Sequence, residues 1–164
     1  METILKTKIK VRFQDCDPFN HLNNSKYIDY FLNVREDQLA EHYNIHVFKD
    51  LEFLGKSWVV TSNQINYMRP AHTLENIVIE TQLIHYTNKK LVAEMKMWNE
   101  NETELKAILW SKFTYYDLKI KKISNHSEEL MEIYKTILTP IKESFFEENS
   151  GICRRRYKVR KTKK

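Results

Sequence analysis

Glycine and cysteine are both scarce in this chain of 164 residues. The two glycines, Gly55 and Gly151, lie far apart. Nucleotide-binding loops need several glycines close together, so that backbone N–H groups can approach the phosphate oxygens. The usual nucleotide-binding motifs are therefore excluded. The two cysteines, Cys16 and Cys153, are also remote and form no CxxC pair. This spacing favours reduced thiols and argues against a disulfide framework or a zinc site.

Long apolar runs are missing as well. No run approaches the roughly 20 residues that a membrane-spanning helix needs. The first ten residues, METILKTKIK, lack the apolar core of a secretory signal. Hydrophobic residues nevertheless make up 41% of the chain and aromatic residues 12%, which is typical of a packed globular domain. We therefore predict a cytoplasmic protein with no membrane partner.

Positive charge is concentrated at the C-terminus. Residues 154–164, RRRYKVRKTKK, hold eight of the 27 basic residues and no acid. We predict a single domain over residues 1–148, followed by a solvated, disordered basic tail over residues 149–164. Such a tail can steer anions or bind nucleic-acid phosphates, but we do not expect nucleic acid to be the partner.

Apolar periodicity predicts an α+β architecture. We expect a first strand over residues 4–13, a helix over 24–43, and a last helix over 127–147 with Ser127 as its N-cap. Period-two patterns predict four antiparallel strands between them, over residues 58–69, 77–83, 91–97 and 105–115. The early turns of the first helix carry a wide apolar arc, and residues 35–41 are polar. The pattern predicts one sheet wrapped around this helix, whose later part emerges towards solvent.

Residues 15–27, DCDPFNHLNNSKY, connect the first strand to the helix and admit two interpretations. In the catalytic interpretation, unpaired N–H groups at the helix N-terminus hold a carbonyl oxygen and stabilise it as an oxyanion. Asp17, just upstream, then attacks the carbonyl or activates a water. In the structural interpretation, Asp17 before Pro18 starts a turn and Asn23 and Asn24 cap the helix, while His21 is a hydrogen-bonded structural residue. Judged by residue chemistry alone, the structural interpretation is the more common one.

A resemblance favours the catalytic interpretation. Residues 11–27, VRFQDCDPFNHLNNSKY, resemble the signature V-R-[FY]-x-D-x-D-x-x-G-H-[VL]-N-N-x-[KR]-Y of the hotdog-fold acyl-CoA thioesterases, the 4-hydroxybenzoyl-CoA thioesterase-like family. Residues 65–71, INYMRPA, are similar to the family's Y-x-R-P-A element. The resemblance covers residues 5–118, and the predicted element order is also that of the family.

The resemblance implies a hotdog fold and a thioester hydrolase. Asp17 matches the catalytic carboxylate, nucleophile or general base, and the amide that polarises the carbonyl falls near Asn24. His21 and Asn23 would orient the substrate or the loop. The implied substrate is an acyl-CoA or an acyl-carrier-protein thioester, with no cofactor because coenzyme A is part of the substrate. The implied assembly is a homodimer that can associate further into a homotetramer.

Other functions stay open alongside the enzyme. One alternative is a non-catalytic hotdog module that binds acyl thioesters, although such a binder has no need of Asp17. The acyl pocket is expected to be lined by Tyr27, Phe31 and Trp58.

Two positions depart from the family pattern. Asn20 replaces a glycine, although asparagine tolerates left-handed backbone. Residues 72–75, HTLE, replace the Gly-Asp pair that often follows the second motif.

Overall fold

The computed structural model of the protein describes residues 1–142, 146–148 and 151. Two short 3-10 turns, Phe13–Asp15 and Asn24–Lys26, flank the polar motif. The strands and α-helices of the described residues are β1 (Ile4–Lys10), α1 (Tyr27–Tyr43), α2 (Val47–Leu54), β2 (Lys56–Tyr67), β3 (Asn76–Tyr86), β4 (Lys90–Asn99), β5 (Leu105–Asp117), β6 (Lys122–Ile123) and α3 (Glu128–Ile137). The predicted basic tail lies outside these residues apart from Gly151.

The strands form one antiparallel sheet in the order β1-β3-β4-β5-β2, with β6 paired to β5. The register shifts once in each of three strand pairs, at residues 60–62, 83–85 and 97–98. Irregularities of this kind increase the local twist and bend a sheet. The sheet therefore curls, and it leaves β1 and β2 as its two edges.

Helix α1 lies in the concave side of the sheet. Its residues Tyr27, Phe31 and Val34 are buried against strand residues such as Ile77 and Met95. Replacing a fully buried phenylalanine by alanine typically costs about 3–5 kcal/mol, so Phe31 alone is a large part of the stability of a small domain. The predicted α+β hotdog fold, a sheet wrapped around a long helix, is confirmed.

The later part of α1 emerges towards solvent on one side only, through Asp37 and Glu41, whereas its other side is buried. Arg35 is 7% exposed and Gln38 is fully buried. Both side chains find hydroxyl partners on the strands: Arg35 Nη1 donates to Thr81 Oγ1 at 3.0 Å, and Gln38 Nε2 donates to Thr7 Oγ1 at 3.0 Å. Because these hydroxyls accept hydrogen bonds from the buried side chains, a polar stretch of sequence packs against the sheet.

The predicted C-terminal helix begins as expected but ends early. Ser127 caps α3 by accepting a hydrogen bond from the Leu130 N–H at 3.2 Å. The helix stops at Ile137 because Leu138 adopts an extended conformation and pairs with Leu83, two residues before Pro140. Proline disfavours helical backbone in the residue before it and cannot donate a hydrogen bond.

Helix α2 was not predicted. Its clearest signal is Gly55, which ends the helix with left-handed backbone at φ +70°, a conformation that glycine adopts without strain. Strand β1 is also shorter than predicted, because residues 13–15 form a 3-10 turn. No helix among the described residues is long and apolar enough to cross a membrane.

Candidate active site

The polar motif is a closed loop organised by Asp17. Its Oδ1 atom accepts hydrogen bonds from the N–H of Phe19 at 2.9 Å and from the N–H of His21 at 3.1 Å. The Asp17 N–H donates in turn to the His21 carbonyl at 2.8 Å. Asn20 has left-handed backbone, φ 65°, as expected for a residue that replaces glycine. No hydrogen bond reaches Oδ2 from any residue described, so one carboxylate oxygen is fixed and the other is available for chemistry.

The two asparagines at the helix start have different surroundings. Asn23 is a helix cap, since its Oδ1 accepts from the N–H and the hydroxyl of Ser25 at 3.0 and 2.9 Å. Asn24 is exposed, and its N–H has no acceptor among the described residues. Its carbonyl accepts a hydrogen bond from the hydroxyl of Tyr67 at 3.0 Å. The helix start therefore presents a free N–H at Asn24, and the carbonyl of the same residue, which belongs to the next peptide group, is bound by a strand residue.

The second motif packs directly against the first. The Leu22 N–H donates to the Ala71 carbonyl at 2.8 Å, and the Ala71 N–H donates to the Tyr27 hydroxyl at 3.0 Å. The rings of His21 and His72 meet edge to face with centroids 5.1 Å apart. Two sequence motifs separated by about forty residues thus form one structural unit.

A buried lysine binds the second motif and the residues that follow it. The Lys106 side chain is 4% exposed, and its Nζ contacts the Pro70 carbonyl, Glu75 Oε1 and Glu104 Oε2, each at 3.0 Å. Glu75 Oε2 accepts from the His72 N–H at 2.8 Å. Sequence reasoning missed Lys106, because Pro70 and Glu75 are distant from it in the chain and its neighbours follow an ordinary strand pattern.

Tyrosines surround the motif as neutral phenols. Burial raises the pKa of Tyr30 to about 12, and the nearby Asp15 carboxylate adds to this effect. The Tyr30 hydroxyl donates to Asp15 Oδ2 at 2.8 Å and accepts from the Arg12 N–H at 2.8 Å. Burial also raises the pKa of Tyr27, with a smaller contribution from the Asp17 charge. Asp15 is thus bound to a structural partner, Tyr30, whereas the carboxylate of Asp17 is hydrogen-bonded within its own loop.

The expected acyl-pocket residues are not all in one place. A cavity of about 180 Å³ lies between the second half of α1 and the sheet, and Trp58 lines it. Tyr27 and Phe31 do not line it, because they are buried in the core with 2% and 0% exposure. Within the described residues, no group of three or more His, Cys, Asp or Glu side chains could hold a metal ion.

Known proteins are similar to this chain in sequence and in fold. FadM, a long-chain acyl-CoA thioesterase of Escherichia coli, is 30% identical over 128 residues, which span 78% of this chain and 95% of FadM. The solved structure of YbaW, a probable thioesterase of Escherichia coli, is 28% identical with a TM-score of 0.69, covering 82% of this chain and 98% of that one. The DHNA-CoA thioesterase of Staphylococcus aureus is 19% identical with a TM-score of 0.74, covering 82% and 90%.

The family signature extends across most of the described fold. The sequence model of the thioesterase-like superfamily matches residues 11–134, from the end of β1 into α3. This region contains both motifs and the Asp17 loop. The prediction of a thioester hydrolase is confirmed with it, and the chain belongs to the thioesterase-like superfamily.

Proposed function

We propose that this protein hydrolyses long-chain acyl-CoA thioesters, with Asp17 as the catalytic carboxylate. The observation that carries the proposal is the pairing of a fixed carboxylate with a free helix N–H. Asp17 is held by two backbone hydrogen bonds on Oδ1, and Asn24 presents its N–H at the start of α1. The name of the relative FadM supports an acyl-CoA substrate with a long chain.

In the proposed mechanism, the thioester carbonyl oxygen accepts a hydrogen bond from the Asn24 N–H. The partial positive charge of the α1 N-terminus stabilises the negative charge that develops on this oxygen. As nucleophile, Asp17 attacks the carbonyl carbon, the C–S bond breaks and the CoA thiolate leaves. Water then opens the mixed anhydride. As general base, Asp17 instead takes a proton from water, whose oxygen attacks the carbonyl carbon directly.

The other predicted site residues have supporting roles in this proposal. His21 donates its N–H to Asp17 Oδ1 and keeps the carboxylate in place. Asn23 caps the helix start and leaves the next N–H, that of Asn24, for substrate. Both residues therefore position other groups of the site, and neither side chain needs to exchange a proton with the substrate.

A homodimer is part of the proposal. Strand β2 is an edge of the sheet, and its residues Val59 and Val60 are 46% and 38% exposed. Next to it, Phe48 and Phe53 of α2 are 69% and 75% exposed. An exposed edge strand with an adjacent apolar surface is suited to pairing with a second copy. A cytoplasmic location stays a prediction, as does the further assembly into a tetramer.

The decisive experiment measures release of CoA thiol from a panel of acyl-CoAs, for the wild type and for Asp17→Asn. The asparagine side chain keeps an oxygen that can accept from the Phe19 and His21 N–H groups, so the loop is preserved. We expect the variant to lose about 100-fold or more in kcat, because it can neither attack the carbonyl nor accept a proton.

Three outcomes would contradict the proposal. Equal activity of both proteins would remove Asp17 from the chemistry. A folded wild type that binds acyl-CoA but releases no thiol would favour the binding module, and turnover of acyl-carrier-protein thioesters alone would favour that substrate. In single-turnover hydrolysis in ¹⁸O-labelled water, a general base always places the label in the released acid. Unlabelled acid with the label in Asp17 would therefore establish the nucleophile, with water attacking the Asp17 carbonyl carbon of the anhydride.

A further inference from the structure

The cavity beside α1 is lined mainly by apolar side chains, with two charged exceptions, Arg35 and Glu36. It is bordered by α1, α2, α3 and the sheet, and its walls include Leu32, Leu39, Trp58, Leu83, Leu91 and Phe113. Its volume of about 180 Å³ somewhat exceeds the roughly 150 Å³ of an apolar cavity known to hold benzene. The cavity therefore has room for the end of an apolar chain.

The buried one of these two exceptions is Arg35, a cation with only neutral partners among the described residues. Arg35 lines the cavity and is 7% exposed. Its guanidinium donates to Thr81 Oγ1 at 3.0 Å and lies near the Tyr43 hydroxyl, but no carboxylate of the described residues lies within ion-pair distance. Buried charges are usually paired with an opposite charge, because an unpaired one is costly. A guanidinium has five N–H donors, so these two hydroxyls do not exhaust its capacity.

The cavity lies on the same helix face as the proposed site. Asn24, Ile28, Leu32, Arg35 and Leu39 follow one another at intervals of three or four residues and share one side of the helix. Asn24–Lys26 form a 3-10 turn that rises about 2.0 Å per residue and α1 rises about 1.5 Å per residue, so the Arg35 Cα lies about 18 Å along the axis from Asn24. An extended chain advances roughly 1.3 Å per carbon, and a helical side chain points back towards the helix N-terminus, so about twelve carbons reach the Arg35 side chain.

One acid also lines the cavity. Glu36 is half-buried and follows Arg35 in the chain, so it points about 100° away around the helix axis. It forms no ion pair with Arg35. Burial lowers the pKa of Arg35, and the Tyr43 hydroxyl partly opposes this effect. Because Glu36 does not pair with Arg35, the guanidinium has no opposite charge among the described residues and complements an anion.

We propose that this cavity holds the far end of the acyl group and that Arg35 binds a carboxylate there. The preferred substrates are then CoA thioesters of long dicarboxylic acids, and the inference rests on the proposed thioesterase function. An apolar tail alone would leave the guanidinium without a counter-charge. A terminal carboxylate supplies that charge and accepts two N–H donors at once.

The test compares two thioesters of twelve carbons, dodecanoyl-CoA and 11-carboxyundecanoyl-CoA. We expect the wild type to hydrolyse the carboxylated substrate with a kcat/KM about tenfold or more higher, since a charged hydrogen bond is formed only with it. Arg35→Gln should abolish this preference, and Arg35→Lys should retain part of it. Lys135→Gln removes the same charge from an exposed position on α3 and should leave the ratio unchanged.

The inference is overturned if the wild type prefers dodecanoyl-CoA, or if Arg35→Gln leaves the ratio as it was. If the wild type hydrolyses neither substrate, the proposed function fails. The two dissociation constants, measured by calorimetry, then test the inference. The carboxylated substrate should bind about tenfold or more tightly to the wild type, and Arg35→Gln should abolish this preference. Circular dichroism establishes that each variant is folded. If Arg35→Gln does not fold, the ratios measured for the wild type and for Arg35→Lys decide the inference.

Discussion

Lys106 offers a direct test of how the two motifs are held together. Its Nζ makes three contacts at 3.0 Å, to Pro70, Glu75 and Glu104, and its side chain is 4% exposed. Lys106→Met keeps most of the stem volume and removes the charge. Breaking a fully buried ion pair typically costs about 3–5 kcal/mol. The two glutamates are 21% and 23% exposed and can regain water, so we expect a loss of about 2–3 kcal/mol in the free energy of unfolding.

Equilibrium unfolding in urea measures this loss, at one protein concentration for all variants because self-association affects apparent stability. Lys112→Met is the matched control, since Lys112 is an exposed lysine on the same strand and should change stability by less than about 0.5 kcal/mol. Thioesterase activity should fall in Lys106→Met as well, because the loosened Pro70 turn carries the carbonyl that binds Leu22. A loss below about 0.5 kcal/mol for Lys106→Met would refute the reasoning.

Two further substitutions probe the helix start and the response to acid. Tyr67→Phe removes the hydrogen bond to the Asn24 carbonyl, so kcat should fall severalfold with little change in KM; an unchanged kcat would show that Tyr67 does not position this peptide. Burial lowers the pKa of His126 in the folded protein, while an unfolded histidine titrates near pH 6.5. Below about pH 6.5 the unfolded chain therefore binds a proton that the folded protein does not, and stability falls as the pH decreases towards the lowered pKa. His126→Asn keeps a donor for the Thr87 carbonyl and should weaken this dependence in urea unfolding from pH 7 to 5; identical slopes would contradict it.

Most of the fold follows from local patterns. The alternation of apolar and polar residues in β2 to β5 and the apolar arc of α1 each depend on residues that are neighbours in the chain. The four strands and the helix predicted from them are confirmed. The errors also have local causes. The early end of α3 reflects the extended Leu138 before Pro140, and α2 is short, with the left-handed Gly55 as its clearest signal.

The candidate site divides in the same way. Asp17, His21, Asn23 and Asn24 were predicted from one continuous motif, and the structure brings them together at the start of α1. Their catalytic roles stay a prediction. Tyr67 and Lys106 were not predicted, because each binds a part of the site that is distant from it in the chain.

The sequence by itself thus determined the family motif, the order of the elements and the absence of a glycine-rich phosphate loop. These properties depend on short stretches of sequence, in which the spacing of residues along the chain determines their spacing in the structure. Only the tertiary structure decided that Arg35 is buried in a cavity and forms no ion pair with a described residue. Residues 36–38, which follow it in the chain, are polar. The burial of Arg35 depends on the Thr81 hydroxyl and on α3, which are brought to it only when the sheet curls around α1.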